Sequence, residues 1–332
     1  MDTTTLAGKP TRHTRVSVII VNWNTRDLLA RCLDTVQAAL PADSEVWVVD
    51  NGSADNSAAT VQQQFPWVRL IENAENVGFA RANNQALHRA SGCYLLLLNS
   101  DTEVRLGALQ ALVDLLESHP EAGVAGPRVL NPDGSLQNSY GALPTVLDEL
   151  LGPYWADFLT KPWGALGRRL PQQRTGPGTP RTVDRVSFAC TLIRRTVLDQ
   201  VGPLDESFHF YSEDYDWFKR LKDAGWKALY CPQAEIMHHW GASSSQSSQW
   251  AISQLYRSKR IYFAKHYGPT AEALLRLGLA LRFGLKLLIL IIVWPLRRGT
   301  ALQIRQQQQL IKDMCGTLDR QKPDLRCPRT RV

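Results

Sequence analysis

The sequence predicts an α/β fold in which a mostly parallel sheet is flanked by helices and followed by an amphipathic helical extension. Segments with strand and helix patterns alternate through about the first hundred residues, which is typical of parallel strands joined by right-handed crossovers. One segment, Tyr94–Leu98, contains four consecutive leucines, as expected of a strand buried on both faces. Polar residues directly follow several segments, and ligands of open α/β sheets bind at the carboxyl ends of strands.

Length and composition are those of a globular protein with one large domain and an appendage. The chain has 332 residues, of which 44% are hydrophobic and 21% charged, and its net charge of +7 favours a phosphate-bearing or membrane partner. The six cysteines include no C-x-x-C pair, which argues against a zinc site and fits a reducing cytosol. Residues 1–14 are polar, lack the apolar core of a signal peptide and are predicted to form a disordered leader.

Hydrophobic patterning assigns the elements in order. Strands are predicted at 16–21, 45–50, 68–71, 95–98 and 124–130, and helices at 27–40, 57–65, about 80–89 and 106–119. Because Gly126 and Pro127 interrupt the fifth strand, we expect it to be an edge or bulged strand. No G-x-G-x-x-G follows the first strand and no G-x-x-x-x-G-K-[ST] is present, which disfavours a dinucleotide site and a P-loop.

The second half of the chain is less regular. Residues 138–184 are rich in proline, glycine and arginine, and they form either a mobile flap whose arginines bind phosphate or a solvated insertion. Strands are predicted at 185–193 and 226–231. A helix is predicted to begin near Ser212, with Ser212 as its N-cap.

Polar residues at the strand ends are the first candidate site. They are Asn22 and Asn24, Asp50, and Asn99, Ser100 and Asp101. The carboxylate of Asp101 could hold a hard divalent cation and through it a diphosphate. Asp50 could accept a hydrogen bond from the N3–H of uracil or thymine, which points to a pyrimidine nucleotide. The alternative is that these residues form only turns and a helix cap.

Acidic residues and histidines in the second half form the other candidate cluster. Glu213, Asp214 and Asp216 lie within four positions among aromatic residues. One of them could be a general base in a partly desolvated pocket, or all could simply favour the helix N-terminus electrostatically. His238 or His239 could supply a nitrogen ligand to a metal, although a lone histidine is more often structural.

Taken together, these stretches resemble glycosyltransferase family 2, whose members are inverting nucleotide-sugar transferases with the Rossmann-like GT-A fold. Within that family the chain is most similar to bacterial rhamnosyltransferases. The matches occur in the family's order from about Val16 to Ser243. They are VSVIIVNWNTRDLLARCL, VWVVDNGSADNS, IENAENVGFARANNQA, YLLLLNSDTEV, VAGPRVLNPDGSLQ, VSFACTLIRR, VGPLDESFHFYSEDYDWFKRLKDAGWK and AEIMHHWGAS.

The resemblance implies a role for each matching residue. Asp101 is the last position of the family's metal-binding D-x-D, which here begins with Asn99, and His238 begins the H-x-x-G-x-S pattern that closes the metal and diphosphate site. Asp214 occupies the place of the catalytic base, with Glu213 before it. The implied donor-binding residues are Asn22, Asn24, Asp50, Asn76, Gly78, Arg81, Asn83, Asn99, Ser100 and Asp101.

The implied activity is metal-dependent transfer of a sugar, expected to be L-rhamnose from dTDP-rhamnose, in bacterial cell-surface polysaccharide synthesis. The acceptor would be a hydroxyl of a glycan or of a polyprenyl-diphosphate-linked sugar, and the cofactor Mg²⁺ or Mn²⁺. The alternatives are a UDP-sugar donor, a nucleotidyltransferase and a non-catalytic carbohydrate-binding protein. Nucleic acid is not an expected partner.

The implied catalytic domain spans 15–268. Its nucleotide-binding half is 15–130, a flexible acceptor-side insertion occupies 131–185, and the half with the acceptor site and the base is 186–268. Residues 269–332 are predicted to be a membrane-associating helix and a basic tail. Within the helix, charged residues fall in an arc of about 120° and predict a basic face for an anionic membrane: Glu272, Arg276, Arg282 and Lys286.

The apolar run 287–294 has only about half the length of a membrane span. The protein is therefore expected to be cytoplasmic and peripheral on the inner face of the cell membrane. The alternative for this helix is packing against the catalytic domain or another subunit.

Overall fold

The computed structural model describes residues 16–150, 178–209, 211–239 and 248–293, together with 305, 308–313 and 316. The predicted leader at 1–14, the middle of the predicted insertion and most of the basic tail lie outside the described residues. The ends of that insertion, 131–150 and 178–185, contain several short strands.

The first half of the chain forms four parallel strands. The strands are β1 (Val16–Asn22), β2 (Glu45–Asp50), β3 (Arg69–Glu72) and β4 (Tyr94–Asn99), in the order β3-β2-β1-β4. The helices between them are α1 (Arg26–Ala39), α2 (Ser57–Gln64) and α3 (Phe79–Leu87). All four leucines of β4 are buried, as predicted, because hydrophobic clusters cover both faces of the sheet.

The second half extends the same sheet in the order β4-β11-β6-β12-β5. The strands of this half are β5 (Thr102–Val104), β6 (Ala122–Leu130), β7 (Leu136–Gln137), β8 (Tyr140–Gly141), β9 (Arg181–Val183), β10 (Arg185–Val186), β11 (Cys190–Arg194) and β12 (Lys227–His238). Strands β8 and β10 form a separate two-stranded sheet. Its helices are α4 (Ala108–Ser118), α5 (Arg195–Val201), α6 (Glu213–Asp223), α7 (Ser248–His266) and α8 (Gly268–Val293). The predicted α/β class with a C-terminal helical region is confirmed.

Strand β6 corrects one prediction. It lies inside the sheet between β11 and β12, so the expectation of an edge strand is wrong. The expected irregularity in strand pairing is present at this position, but it lies in the partner strand. The register of β12 shifts between Cys231 and Glu235, and Cys231 is opposite Pro127. A Cβ on Gly126 would lie 2.5 Å from Cβ of Val186, so this crowded position requires glycine.

Two strand predictions also had the wrong length. The single strand predicted at 185–193 is divided into β10 and β11, which pair with different partners. The strand predicted to end at 231 continues to His238. This longer strand matters because it carries His238 to the edge of the sheet where β4 ends.

The C-terminal helices α7 and α8 form an antiparallel pair with a hydrophobic cluster of their own. Leu275, Leu279 and Phe283 of α8 are buried in it with Tyr262 and Phe263 of α7. None of the helices in the described ranges is both long enough and apolar enough to span a membrane.

Candidate active site

The ends of β1 and β2 form the first part of the site. Asn22 and Asp50 are opposite each other in the parallel ladder, and Asn22 Nδ2 donates to Asp50 Oδ2 at 3.1 Å. The Ser53 backbone N–H donates to Asp50 Oδ1 at 2.9 Å, while Ser53 Oγ accepts from Asn22 Nδ2 at 3.2 Å. Both side chains are buried and the carboxylate shapes the turn, so the turn interpretation of Asp50 is confirmed; contact with a base stays a prediction.

A second set of contacts ties this turn to the end of β4. Thr25 Oγ1 donates to Asn22 Oδ1 at 2.6 Å and lies 2.8 Å from Ser100 Oγ. Asn24 accepts from the Ala54 backbone N–H at 2.8 Å and has a positive φ of 53°. An open cleft of about 480 Å³ lies next to Asn24 and Thr25. Asn22, Asn24, Asp50 and Ser100 are therefore brought together, as the strand ends predicted.

The loop before α3 joins the same rim. Asn51 Nδ2 donates to Asn76 Oδ1 at 2.9 Å, and that oxygen also accepts from the Gly78 backbone N–H at 2.9 Å. Gly78 has φ +88°, and a Cβ there would lie 2.5 Å from His209 Nδ1. The first N–H groups of α3 have no intrahelical acceptors, and N–H groups at a helix N-terminus are suited to bind a diphosphate.

Two predicted donor residues on α3 are placed differently. Asn83 is buried and its Nδ2 donates to the Phe79 backbone carbonyl at 2.9 Å, within its own helix. Arg81 has a side chain that is 60% exposed and lies 4.0 Å from Glu206 Oε2. The hydrogen-bond network of the rim holds neither side chain, so their contacts with a donor remain predictions.

Asp101 and His238 meet at the end of β4. The carboxylate Oδ1 lies 3.1 Å from His238 Nε2, and both side chains are buried. Pairing of β5 with β12 brings them together, since Thr102 is opposite His238 in the ladder. Asn99 Nδ2 lies 3.4 Å from the same Nε2. The neighbouring His239 is directed elsewhere, with Nε2 at 2.9 Å from Glu103 Oε1.

The hydrogen bonds of His238 show that the site fits a cation. Gln137 Nε2 donates to Asn131 Oδ1 at 2.9 Å, which leaves Gln137 Oε1 to accept from His238 Nδ1–H at 2.7 Å. A neutral imidazole held in this way presents the lone pair of Nε2 toward the Asp101 carboxylate. Two electron-rich atoms at 3.1 Å need a proton or a cation near both of them.

Among the described residues, the protein supplies only part of a coordination shell. In the ranges that the structure describes, no three His, Cys, Asp or Glu side chains cluster as a metal site. Asp101 and His238 would thus provide two ligands, and oxygen atoms of a bound diphosphate are suitable donors for the remaining positions. Gly241 and Ser243, which complete the sequence pattern after His238, lie outside the described residues.

The start of α6 carries the predicted base. Arg185 Nη1 lies 3.8 Å from Asp214 Oδ2, and its guanidinium stacks over the Tyr215 ring at 4.8 Å. Burial raises the pKa of Asp214, while the charge of Arg185 opposes that rise. Burial and the neighbouring charge of Asp214 raise the pKa of Glu213. Asp214 is therefore the acid that keeps its negative charge more readily.

Ser212 does not cap α6, which corrects the second local prediction. Its φ of 65° is left-handed, its side chain makes no capping hydrogen bond, and Oγ is buried without a partner among the described residues. N-cap serines ordinarily adopt an extended backbone that directs the hydroxyl to the helix N–H groups. Tyr211 before it also has a positive φ, of 66°. The entry to α6 is thus a strained turn.

A short segment connects the two ends of the site. The Asn99 backbone N–H donates to the Ala189 carbonyl at 3.0 Å, and Arg185, four positions earlier in the chain, contacts Asp214. The Phe188 ring lies 6.4 Å from the Phe79 ring and 5.5 Å from the Phe218 ring. The segment 185–189 therefore contacts both the end of β4 and the start of α6.

Asp216, the third acidic residue of this cluster after Glu213 and Asp214, has a different role. It is fully buried, and its Oδ1 lies 2.7 Å from both Lys265 Nζ and His266 Nε2 of α7. Arg220 Nε lies 2.9 Å from Oδ2. Burial alone would raise the pKa of Asp216, but these partners hold it below its ordinary value. This carboxylate fastens α7 to the helix that carries Asp214.

Sequence reasoning did not select Gln137 and Arg185 as site residues. Gln137 belongs to the matching stretch VLNPDGSLQ, but a glutamine in a turn carries no local signal for a histidine about a hundred positions away. Arg185 directly follows the arginine-rich residues 138–184, and the sequence does not distinguish it from a solvated arginine. Only the pairing of β10 with β8 places it beside Asp214.

Comparisons with known proteins agree with this geometry. A model of glycosyl transferase family 2 matches residues 17–202. The N-acetylglucosaminyl-diphospho-decaprenol L-rhamnosyltransferase of Mycobacterium tuberculosis is 30% identical over 274 residues, covering 78% of this chain and 87% of that protein. The O-antigen biosynthesis protein RfbC of Myxococcus xanthus is 30% identical over 75% of this chain and 20% of its own length.

Solved structures support the fold. The mannosyltransferase PcManGT from Pyrobaculum calidifontis, in complex with GDP-Man and Mn²⁺, has a TM-score of 0.52 at 18% identity and covers 94% of this chain and 89% of its own. GalNAc-T7 with UDP, GalNAc and Mn²⁺ also has a TM-score of 0.52 at 18% identity, covering 76% of this chain and 50% of its own. At this identity the likeness concerns the fold alone, and it agrees with the expected GT-A architecture.

Proposed function

The chain belongs to glycosyl transferase family 2, and from this premise we propose that it transfers L-rhamnose from dTDP-rhamnose to a lipid-linked sugar. The observation that carries the proposal is the match to the mycobacterial rhamnosyltransferase, which extends over most of both chains. That relative is named for an acceptor with N-acetylglucosamine on a decaprenyl diphosphate. We propose the same chemical class of acceptor here, a polyprenyl-diphosphate-linked sugar in cell-surface polysaccharide synthesis.

The family assignment makes the protein a glycosyltransferase, so the nucleotidyltransferase and the non-catalytic alternatives fall away. The UDP-sugar alternative stays open to test, because uracil and thymine both offer an N3–H to Asp50. In our proposal Asn22, Asn24 and Asp50 bind the nucleoside. The residues proposed to bind the diphosphate and the sugar are Asn76, Gly78, Arg81, Asn83, Asn99, Ser100 and Asp101.

The reaction that we propose is a single displacement with inversion. Asp214 accepts the proton of the acceptor hydroxyl while that oxygen attacks the anomeric carbon. The bond between the anomeric carbon and the diphosphate oxygen breaks, and the leaving oxygen takes the electron pair. The sugar passes through an oxocarbenium-like state, by analogy with glycoside hydrolysis, and no covalent enzyme intermediate is required. Glu213, with its raised pKa, keeps a neutral carboxyl beside the base.

We propose that Asp101 and His238 hold Mg²⁺ or Mn²⁺ together with the donor diphosphate. The apposition of His238 Nε2 and Asp101 Oδ1 supports this assignment. When bound, such a cation neutralises the negative charge that develops on the leaving diphosphate. Asn99 at the first position of the D-x-D motif contributes no charge, so Asp101 is the only acidic ligand that this motif provides.

A lipid-linked acceptor requires the protein to work at a membrane. We place the enzyme in the cytoplasm, peripheral on the inner face of the cell membrane, because the donor nucleotide is a soluble molecule while the acceptor hydroxyl lies near the lipid surface. The positive net charge of +7 favours an anionic surface.

The direct test is a transfer assay with purified full-length protein. We expect dTDP-rhamnose and a polyprenyl-diphosphate N-acetylglucosamine to give a disaccharide lipid in the presence of Mn²⁺ or Mg²⁺, with the anomeric configuration of the donor inverted. EDTA should stop turnover and added metal should restore it. Product analysis by mass spectrometry and NMR reports both the mass and the configuration.

Competing donors and acceptors make the test specific. UDP-glucose and UDP-N-acetylglucosamine should give little product under the same conditions, and faster transfer from either would replace the rhamnosyl assignment. Turnover that persists with EDTA after dialysis against chelator would contradict the proposed metal dependence. A product that retains the anomeric configuration of the donor would contradict the single-displacement mechanism.

A further inference from the structure

The outer face of α8 carries a continuous aliphatic stripe. Its members recur every three or four residues, and their exposed fractions are Leu274 55%, Leu277 59%, Leu281 66%, Leu285 61%, Leu288 55% and Ile291 50%. At about 100° per residue they occupy an arc of about 120°, and at about 1.5 Å per residue the stripe is about 25 Å long. A continuous apolar surface of this kind is typical of an interaction site.

The opposite face of α8 is firmly attached to the protein. Leu275, Leu279 and Phe283 are buried against α7, and Glu272 is paired with Arg260 of α7 at 2.7 Å. Leu150 also packs closely against Gly278. The stripe is therefore not the core face of a displaced helix. It is a second apolar face that the rest of the described chain leaves exposed.

The sequence along the stripe and up to Lys312 carries only positive charges. Between Ala273 and Lys312 the sequence contains no Asp or Glu. Over the same stretch its basic residues are Arg276, Arg282, Lys286, Arg297, Arg298, Arg305 and Lys312. Arg282 and Lys286 are exposed. At about 100° per residue, Arg276 and Arg282 each lie about 60° beyond one edge of the stripe, and Lys286 lies farther round the helix. An occupant of this surface must accordingly offer both hydrocarbon and negative charge.

We infer that the stripe inserts into the boundary between headgroups and acyl chains of an anionic membrane, with α8 parallel to the surface. A second copy docked face to face would bring its own Arg276 and Arg282 toward those of the first, which like-charge repulsion disfavours. An anionic bilayer gives hydrocarbon to the leucines and phosphates to the cations. The inference rests on the proposed function only in that a lipid-linked acceptor lies in such a membrane.

This orientation differs from the one that the sequence predicted. The charged arc of α8 contains the buried contacts to α7, so it is the apolar face, not a basic face, that meets the lipid. Because Lys265 and His266 of α7 hold Asp216 on α6, α8 is connected through α7 to the helix that carries Asp214.

The test is vesicle flotation with the full chain. The disrupting variant is Leu277→Gln/Leu281→Gln/Leu285→Gln, whose substitutions are all on the exposed face and leave the α7 contacts intact. Leu106→Gln is the matched control, because Leu106 is 78% exposed but lies before α4. We expect wild type and the control to float with vesicles of phosphatidylcholine and phosphatidylglycerol, and the triple variant to bind about a hundredfold more weakly.

Other results of flotation or light scattering overturn the inference. Flotation of the triple variant at wild-type level, or no flotation of wild type, contradicts it directly. A wild type that is dimeric by light scattering, with a monomeric triple variant and no vesicle binding, identifies a second copy as the occupant. Transfer to a soluble acceptor analogue, measured in parallel without vesicles, should be equal in all three proteins. Its absence from wild type would count against the proposed function, not against the stripe.

Discussion

At the donor rim the polar side chains satisfy one another, whereas at the start of α6 several do not. Asn22, Asp50 and Ser53 exchange hydrogen bonds of 2.9–3.2 Å within one turn. By contrast, Glu213 Oε2 and Ser212 Oγ are buried with no hydrogen-bond partner among the described residues. The rim is held in place before any ligand binds, while the α6 entry keeps polar groups in an unfavourable environment.

The difference fits the tasks that we propose for the two regions. A donor site gains affinity from preorganised groups because little ordering is left to occur on binding. A general base needs the opposite arrangement, since a carboxylate that is fully hydrogen-bonded loses basicity. Partial desolvation raises the pKa of Asp214, and Arg185 limits that rise so that the acid still ionises.

The largest expected effect comes from removing the base. Asp214→Asn should lower kcat for transfer by about two to four orders of magnitude, because the hydroxyl proton loses its acceptor. Glu213→Gln, on the neighbouring residue, should cost less than about tenfold, since the raised pKa of Glu213 makes a neutral amide a close mimic of it. Steady-state kinetics with both variants measure the difference.

Donor binding is the control for this pair. Thermal shift with dTDP-rhamnose should be the same in Asp214→Asn as in wild type, which shows that the variant is folded. In wild type, kcat/KM should rise with pH through the raised pKa of Asp214, because only the ionised base accepts the proton. Equal losses in the two variants, or an unchanged rate in Asp214→Asn, would contradict the assignment of the base.

The donor rim was predictable from sequence and the α6 entry was not, for a physical reason. The parallel βα pattern fixes where strands end. Asn22 and Asp50 directly follow buried apolar runs, and Asp101 comes three positions after Leu98, the end of another such run. The backbone of Ser212 depends instead on tertiary constraints that give it a left-handed φ. Composition suggested a helix cap at that position, but a cap also requires the extended backbone that the fold does not allow there.

Contacts between distant segments also explain the other differences between the predicted and the observed structure. Gly126 and Pro127 indicated a strand edge, yet a bulge in β12 accommodates them inside the sheet. A helical wheel located the charged arc of α8, but it could not show which arc contacts α7. That depends on Leu279 and Phe283 fitting the α7 surface. Local patterns thus located each element, and contacts between distant segments determined its neighbours.

The second prediction concerns Asp216, the acidic residue of α6 whose carboxylate is fully paired. Asp216→Asn should lower the free energy of unfolding by about 3 kcal/mol, because it removes a fully buried charge and leaves its partners Arg220, Lys265 and His266 without their counter-charge. Asp223→Asn is the matched control, since Asp223 forms an exposed pair with Lys219 and should cost less than about 1 kcal/mol. Urea denaturation followed by circular dichroism measures both.

The pH dependence adds a check on this role. The folded-state pKa of Asp216 is lowered, so its contribution is present above the ordinary carboxyl pKa of about 4 and is lost as pH falls through the folded pKa. The gap in stability between wild type and Asp216→Asn should therefore close below about pH 4. A gap that stays constant into acid, or equal losses in the two variants at neutral pH, would show that the Asp216 charge does not clamp α7 to α6.

The smallest expected effect tests whether the rim orders the metal site as well as the nucleotide site. Gln137→Leu removes the acceptor for His238 Nδ1–H and frees the ring to turn, so Mn²⁺ affinity should fall by about ten- to a hundredfold. Gln137→Glu keeps an acceptor at that place and should retain most of the affinity. Mn²⁺ binding followed by electron paramagnetic resonance, with donor nucleotide present, reports affinity independently of turnover. If Gln137→Leu bound Mn²⁺ as tightly as wild type, Gln137 would not orient His238 for metal binding. Preorganisation by hydrogen bonds would then be limited to the residues of the rim proposed to bind the nucleoside.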